Sequence, residues 1–224
     1  MPQKLCAELI GTFFLVLTVV GSGIMAEQLS AGIDGLALLG NTLATGCILI
    51  VLITLFGPVS GAHFNPAVTL TFVFAAEISA RTAMGYVLCQ IGGGLAGTAL
   101  AHILFDLPVL QIAQTDRASL PLYGAEFVAT CGLILVILIG RTHRPAAVPV
   151  LVGLYISAGY WFTSSTSFAN PAVTIARTCT DTFSGISPSA TGFFILAQIL
   201  AAWPVWRFAT WLMSGAGQDT HTQE

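Results

Sequence analysis

The sequence predicts an all-α membrane protein of six transmembrane helices and two re-entrant half-helices, arranged as an inverted repeat. Three observations carry this prediction. The composition is that of a chain living in lipid: 55% hydrophobic and 8% charged over 224 residues, with a mean hydropathy of +0.87, where a soluble domain carries about a quarter charged residues. Six apolar segments, near 5–26, 35–56, 83–105, 122–140, 147–163 and 189–213, approach the roughly 20 residues that span a hydrocarbon core. The third observation is a duplication. Gly61-Ala62-His63-Phe64-Asn65-Pro66-Ala67-Val68-Thr69 returns, shortened, as Ser167-Phe168-Ala169-Asn170-Pro171-Ala172-Val173-Thr174.

The first segment lacks a convincing basic leader and cleavage site and carries Glu8 near its start, so it reads as a retained span. Lys4, Arg81, Arg141, Arg144 and Arg207 fall on one side of a six-span arrangement, and Arg117 and Arg177 on the other. Both termini are therefore expected at the cytoplasmic face. Five scattered cysteines suggest neither a disulfide framework nor a metal site, and they read as small packing residues. A net charge of -3 with no basic stripe points away from nucleic acid. No cofactor is expected.

Each Asn-Pro opens a helix well, because Asn caps free N–H groups and Pro at the first turn has none to leave unsatisfied. The helices so opened, 65–76 and 170–180, are too short to span alone. At about 1.5 Å per residue they reach roughly 15 to 18 Å, so two placed end to end fill a core of about 30 Å. The backbone leading into them, Gly57 to Phe64 and Ser164 to Ala169, is not expected to be helical throughout, and at that depth free carbonyls are tolerated only beside water.

The duplication extends further. Ala7-Glu8-Leu9 matches Ala125-Glu126-Phe127, and Cys89-Gln90-Ile91 matches Ala197-Gln198-Ile199. Each half thus reads span, span, half-helix, span, giving repeats over 1–105 and 122–213. Three crossings separate equivalent points, so the halves are inverted. Asn65 and Asn170 then meet at the centre, where two helix N-termini supply positive potential and the side chains supply amide donors. Such a site favours neutral, oxygen-bearing solutes and repels cations. The bland alternative is that each Asn is only a cap.

These residues carry a resemblance. The Ala-Glu pairs, Gly61 to Thr69, and Asn170-Pro171-Ala172 resemble the aquaporin or major intrinsic protein family over nearly the full length. The resemblance implies a single channel domain over 1–224, one pore per protomer, and a homotetramer. It implies that Glu8 and Glu126 accept hydrogen bonds from the loops entering the half-helices, where the alternative is a span end facing water, better suited to Glu8 than to Glu126. It implies that His63 lies beside the pore, although a packing imidazole is nearly as good a reading.

The chain departs from the family pattern at the selectivity filter. Where the family has Arg three residues after the second Asn, this chain has Val173, and its cation is Arg177, displaced about 6 Å toward the outer mouth. Arg177 either lines the vestibule or anchors the interface. Thr45 stands where an aromatic is usual, Ser167 replaces another filter side chain, and Ala158 or Tyr160 is the fifth-span contributor. The implied pore is wider and less cationic.

The expected function is a passive channel in a bacterial-type inner membrane for water and small neutral solutes, with glycerol-like polyols and metalloid hydroxides such as arsenous acid as candidates. A secondary transporter is the rival, disfavoured because no Asp, Glu or Lys stands beside either Asn. No nucleophile paired with a base and no phosphate loop suggests an enzyme. Gly93-x-x-x-Gly97 reads as a helix contact, and Trp203, Trp206 and Trp211 as lipid or subunit contacts rather than pore lining.

Overall fold

The computed structural model describes residues 1–215. Its helices are α1 (Pro2–Leu29), α2 (Asp34–Ser60), α3 (Pro66–Phe74), α4 (Ala80–Leu104), α5 (Leu120–His143), α6 (Val148–Phe162), α7 (Pro171–Thr178) and α8 (Pro188–Gly215), with a 3-10 turn at Pro145–Ala147 before α6. Six are long and apolar enough to cross a membrane. The other two, α3 and α7, are the half-helices, and their N-terminal ends meet in the middle of the bundle. Six crossings put the start of α1 and the end of α8 at one end, here the terminal end. Arg117 and Arg177 lie toward the far end.

Neighbours repeat between the halves. Helix α1 packs on α4 as α5 packs on α8, α4 on α7 as α8 on α3, and α2 crosses α6 at the centre. Small residues set the closest approaches. A Cβ on Gly93 would lie 2.3 Å from the Leu9 carbonyl oxygen, and one on Gly97 2.4 Å from that of Phe13, so the Gly-x-x-x-Gly ridge of α4 lies directly on the backbone of α1. Gly46 and Gly153 serve the α2–α6 crossing, where a Cβ on Gly153 would come within 2.7 Å of the Gly46 carbonyl oxygen.

Two expected boundaries change. Helix α2 runs past the expected end near residue 56, through Pro58 to Ser60, and stops where Gly61 takes a left-handed φ of 90°. The half-helices are also shorter than 65–76 and 170–180. Helix α3 ends at Phe74 because Ala76, at φ 57°, closes a Schellman turn in which Glu77 N–H bonds Phe72 O and Ala76 N–H bonds Val73 O. Helix α7 ends at Thr178, where loop amides take its last carbonyls: Ile186 N–H bonds Arg177 O, and Ala113 N–H bonds Thr178 O. Trp203 and Trp211 are exposed on the outside of α8, and Trp206 packs against Phe74.

Candidate functional site

The two loops entering the half-helices have one conformation used twice. Three and one residues before each Asn, the backbone is left-handed: Ala62 and Phe64 at φ 50° and 49°, Ser167 and Ala169 at 52° and 48°. None is glycine, so each costs about 1 to 2 kcal/mol and persists only if the surroundings impose it.

The imposing groups are the two buried carboxylates. Glu8 Oε1 accepts from His63 N–H at 3.0 Å and from the Ser60 hydroxyl at 2.6 Å. Its Oε2 accepts from Phe64 N–H and Gln90 Nε2, each at 2.7 Å. Glu126 repeats the pattern with Phe168 N–H at 2.9 Å, Ala169 N–H at 2.8 Å and Gln198 Nε2 at 2.6 Å. Gln90 and Gln198 reach on to Thr69 and Thr174, the fourth residue after each Asn, at 3.0 and 2.9 Å. Both carboxylates are fully buried, so the span-end reading of Glu8 gives way to the loop-acceptor geometry. A buried charge is tolerated when hydrogen bonds saturate it, and here they do.

Each Asn has a divided role. The Asn65 carbonyl caps α3 through Ala67 N–H at 2.9 Å, and that of Asn170 caps α7 through Ala172 and Val173 N–H at 3.0 and 3.3 Å. The amides cross over. Asn65 Nδ2 donates to Ala169 O at 2.7 Å, and Asn170 Nδ2 to Phe64 O at 2.8 Å, so each half-helix is tied to the other's loop. An amide nitrogen carries two hydrogens, leaving one on each side chain for a third party. Capping and pore lining are therefore not alternatives.

That third party would sit in a cavity of about 60 Å³ that both Asn line, enough for water, since one water needs about 10 to 15 Å³ on this measure. Much of the lining is apolar and comes in equivalent pairs: Leu15 with Leu133, Leu49 with Ile156, and Val68 with Val173. The loop segments Ala62 to Asn65 and Ser167 to Phe168 complete it. Among the described residues, nothing donates to the carbonyls of Ala62, His63, Ser167 or Phe168, which remain available to a solute hydroxyl.

At the far end the lining turns polar. Thr45 Oγ1 and Tyr160 Oη lie 3.2 Å apart, and the buried Ser167 hydroxyl has no partner among the described residues. Of the two fifth-span candidates, Tyr160 lines the cavity, whereas Ala158 is exposed on the other face of α6 and is corrected out of it. Val173 and Arg177 both line it. His63 lines it at the other end, stacked 4.5 Å from Phe72 and 3.1 Å from the Thr69 hydroxyl.

Arg177 is 3% exposed; its Nε–H donates to Ser184 O, and its guanidinium lies 3.4 Å above the Phe168 ring. Beside it stands a residue that the sequence placed on the same side of the membrane but not at the site. Arg117, from the loop between α4 and α5, donates to Gly185 O at 3.0 Å and Ser165 O at 3.4 Å, with its guanidinium 5.2 Å from the same ring. Burial pushes its pKa below the usual arginine range, while the Glu126 charge and then Tyr160 act in the opposite direction. A lone loop arginine gives no sequence signal of this placement. Gln90 and Gln198 did: a polar side chain at one register in two apolar spans asks for a buried partner.

A family model described as "Major intrinsic protein" matches residues 1–167. The chain is 50% identical over 216 residues to aquaglyceroporin AqpS of Rhizobium meliloti, covering 96% of this chain and 92% of that protein. It is 31% identical over 171 residues to aquaporin Z of Photorhabdus laumondii, covering 69% and 73%, and 31% identical over 165 residues to aquaporin NIP1-1 of Arabidopsis thaliana, covering 70% and 54%. Its fold matches the aquaglyceroporin from Plasmodium falciparum with a TM-score of 0.70 at 19% identity, over 92% of this chain and 94% of that one. The chain is a multi-pass membrane protein and belongs to the major intrinsic protein family.

Proposed function

We propose that the chain is a passive channel, not an enzyme, conducting water and small neutral solutes such as glycerol, with the whole of 1–224 acting as one pore unit built from the repeats 1–105 and 122–213. The observation that carries this reading is the central Asn65–Asn170 pair, each with a spare amide hydrogen, in a cavity otherwise lined largely by apolar side chains. A polyol has a hydroxyl edge and a hydrocarbon edge, and this lining offers donors and carbonyls to the first and Leu, Ile and Val to the second. Two converging helix N-termini oppose cations. The filter residues are Thr45, Tyr160, Ser167 and Val173, with Arg177 at the mouth. Filter hydroxyls and a Val in place of the usual Arg suit solutes larger than water, arsenous acid among them.

The far end faces the outside of a cell inner membrane and both termini face the cytoplasm, as the five basic residues of the terminal end favour. The assembly is a homotetramer with one pore per subunit. Swelling of proteoliposomes in water, glycerol, urea and arsenous acid gradients tests the reading. The expected result is glycerol flux well above that of protein-free vesicles, without saturation or trans-stimulation. Trans-stimulated counterflow would establish a carrier instead.

A further inference from the structure

A second cavity, of about 370 Å³, opens at the far end and is lined by Asp34, Gly35, Leu38, Asn41, Arg117, Thr166, Arg177 and Phe183. Two guanidinium groups therefore share it. Arg177 also lines the central cavity, so the two spaces adjoin at this side chain. Arg177 is buried and Arg117 partly so, and buried cations are ordinarily paired, yet among the described residues neither arginine has a carboxylate oxygen within 4.0 Å, the one ion pair being Arg141 with Glu77. The nearby Glu126 spends its oxygens on two backbone N–H groups and Gln198. Asp34 stands exposed at the start of α2.

The donor supply is in surplus. Arg177 commits its Nε–H to Ser184 O, and Arg117 commits Nε and Nη1 to Gly185 O and Ser165 O. Both Nη groups of Arg177 and the Nη2 of Arg117 make no hydrogen bond to the described residues. A guanidinium presents its N–H groups as a planar fork that matches oxygens held on one atom. Phe168 lies under both groups and fixes them to a common platform.

We propose that the far-end vestibule binds a tetrahedral inorganic oxyanion between Arg117 and Arg177. The anion completes the charge balance of the paired cations. It also stands over the entrance to the central cavity, so it slows the entry of neutral solutes. It does not follow them inward, because the passage beyond is lined mainly by apolar side chains, Leu49, Ile156, Val68 and Val173 among them, and the few donors there replace only part of its hydration.

The test titrates inorganic phosphate into the full chain in a maltoside detergent, read by calorimetry or by phosphorus NMR, with chloride at equal ionic strength as the control. Saturable binding at one phosphate per chain, not displaced by chloride, is expected. Arg117→Gln should weaken it about tenfold or more, the loss of one charge-assisted contact. Asp34→Asn, which removes a repelling rim charge without touching the core, should tighten it about twofold to fivefold. This gain guards against reading a folding defect as lost binding. In proteoliposomes with phosphate on both sides, glycerol flux should fall for the wild type and be unaffected for Arg117→Gln. Absence of saturable phosphate binding, or binding insensitive to both substitutions, overturns the proposal. Since binding is read without flux, glycerol permeability of the same preparation tests the channel reading separately.

Discussion

At the scale of single residues, two side-chain types do more than one thing, and substitutions can separate the parts. In Asn170→Asp the carboxylate still caps Ala172 and Val173 N–H, but the donor to Phe64 O is gone and two acceptors face each other at 2.8 Å. The cap survives while the tie between the halves becomes repulsive. The yield of folded protein should drop, and glycerol flux through the protein that does fold should fall at least tenfold. Normal flux in folded Asn170→Asp would remove Asn170 from the pathway. Glu126→Ala should strand Phe168 and Ala169 N–H and the Gln198 amide, at about 1 to 3 kcal/mol each, and release the left-handed backbone at Ser167 and Ala169. Glu126→Gln keeps an acceptor and should melt between the two. Equal melting temperatures for wild type and both variants would show that the carboxylate does not hold the loop.

At the scale of elements, the spans were legible because each is one unbroken apolar run, and the half-helices because Asn-Pro marks a helix start wherever it occurs. Their ends were not. Ala75 and Ala76 look helical by propensity, and only the Schellman turn closed by Glu77 stops α3 before them. The apolar run predicts an end to α2 near residue 56, yet the helix tolerates Pro58 and leaves the stop to Gly61. The site divides the same way. Residues carried by the duplicated motif could be named in advance, as could Glu8 and Glu126, since a carboxylate in an apolar span demands partners. The choice of Tyr160 over Ala158 depends on the helical phase of α6, which ends at Phe162, farther before Asn170 than Ser60, the end of α2, stands before Asn65. Arg117 arrives through a long loop whose course no local pattern encodes. Gly93 shows the element-scale constraint: Gly93→Leu must drive α4 off the Leu9 carbonyl, an overpacking cost of about 1 to 3 kcal/mol or more. Lower thermal stability with Glu8 still buried is the expected outcome, and an unchanged melting temperature would mean that α1 and α4 are not in this contact in the membrane.

At the scale of the whole molecule, the inverted arrangement makes two similar entrances, and the chemistry then distinguishes them. Equivalent positions carry Thr45 and Tyr160 toward the far end but Val152 and Ile53 toward the terminal end, with Ser167 facing Ala62. Hydroxyls and arginines thus gather at one mouth, and discrimination among solutes belongs there. Val173 is the position at which the pattern of the family and this chain diverge, 5% exposed, on the cavity wall one helical turn before Arg177. Val173→Arg would add a third guanidinium beside those of Arg117 and Arg177, fill space now open above Asn170, and add to the barrier for a three-carbon polyol more than for water. A difference of about 1.4 kcal/mol suffices for a tenfold fall in the glycerol-to-water permeability ratio. Adding Thr45→Phe should deepen the fall, since the phenyl ring replaces the hydroxyl paired with Tyr160. Arg177→Ala should leave the size cutoff in place, because its guanidinium is held against Phe168 rather than across the passage. Measured in proteoliposomes of matched protein density, an unchanged ratio in folded Val173→Arg would mean that the narrowest point lies elsewhere along the cavity, with the Asn65–Asn170 crossover the next place to look.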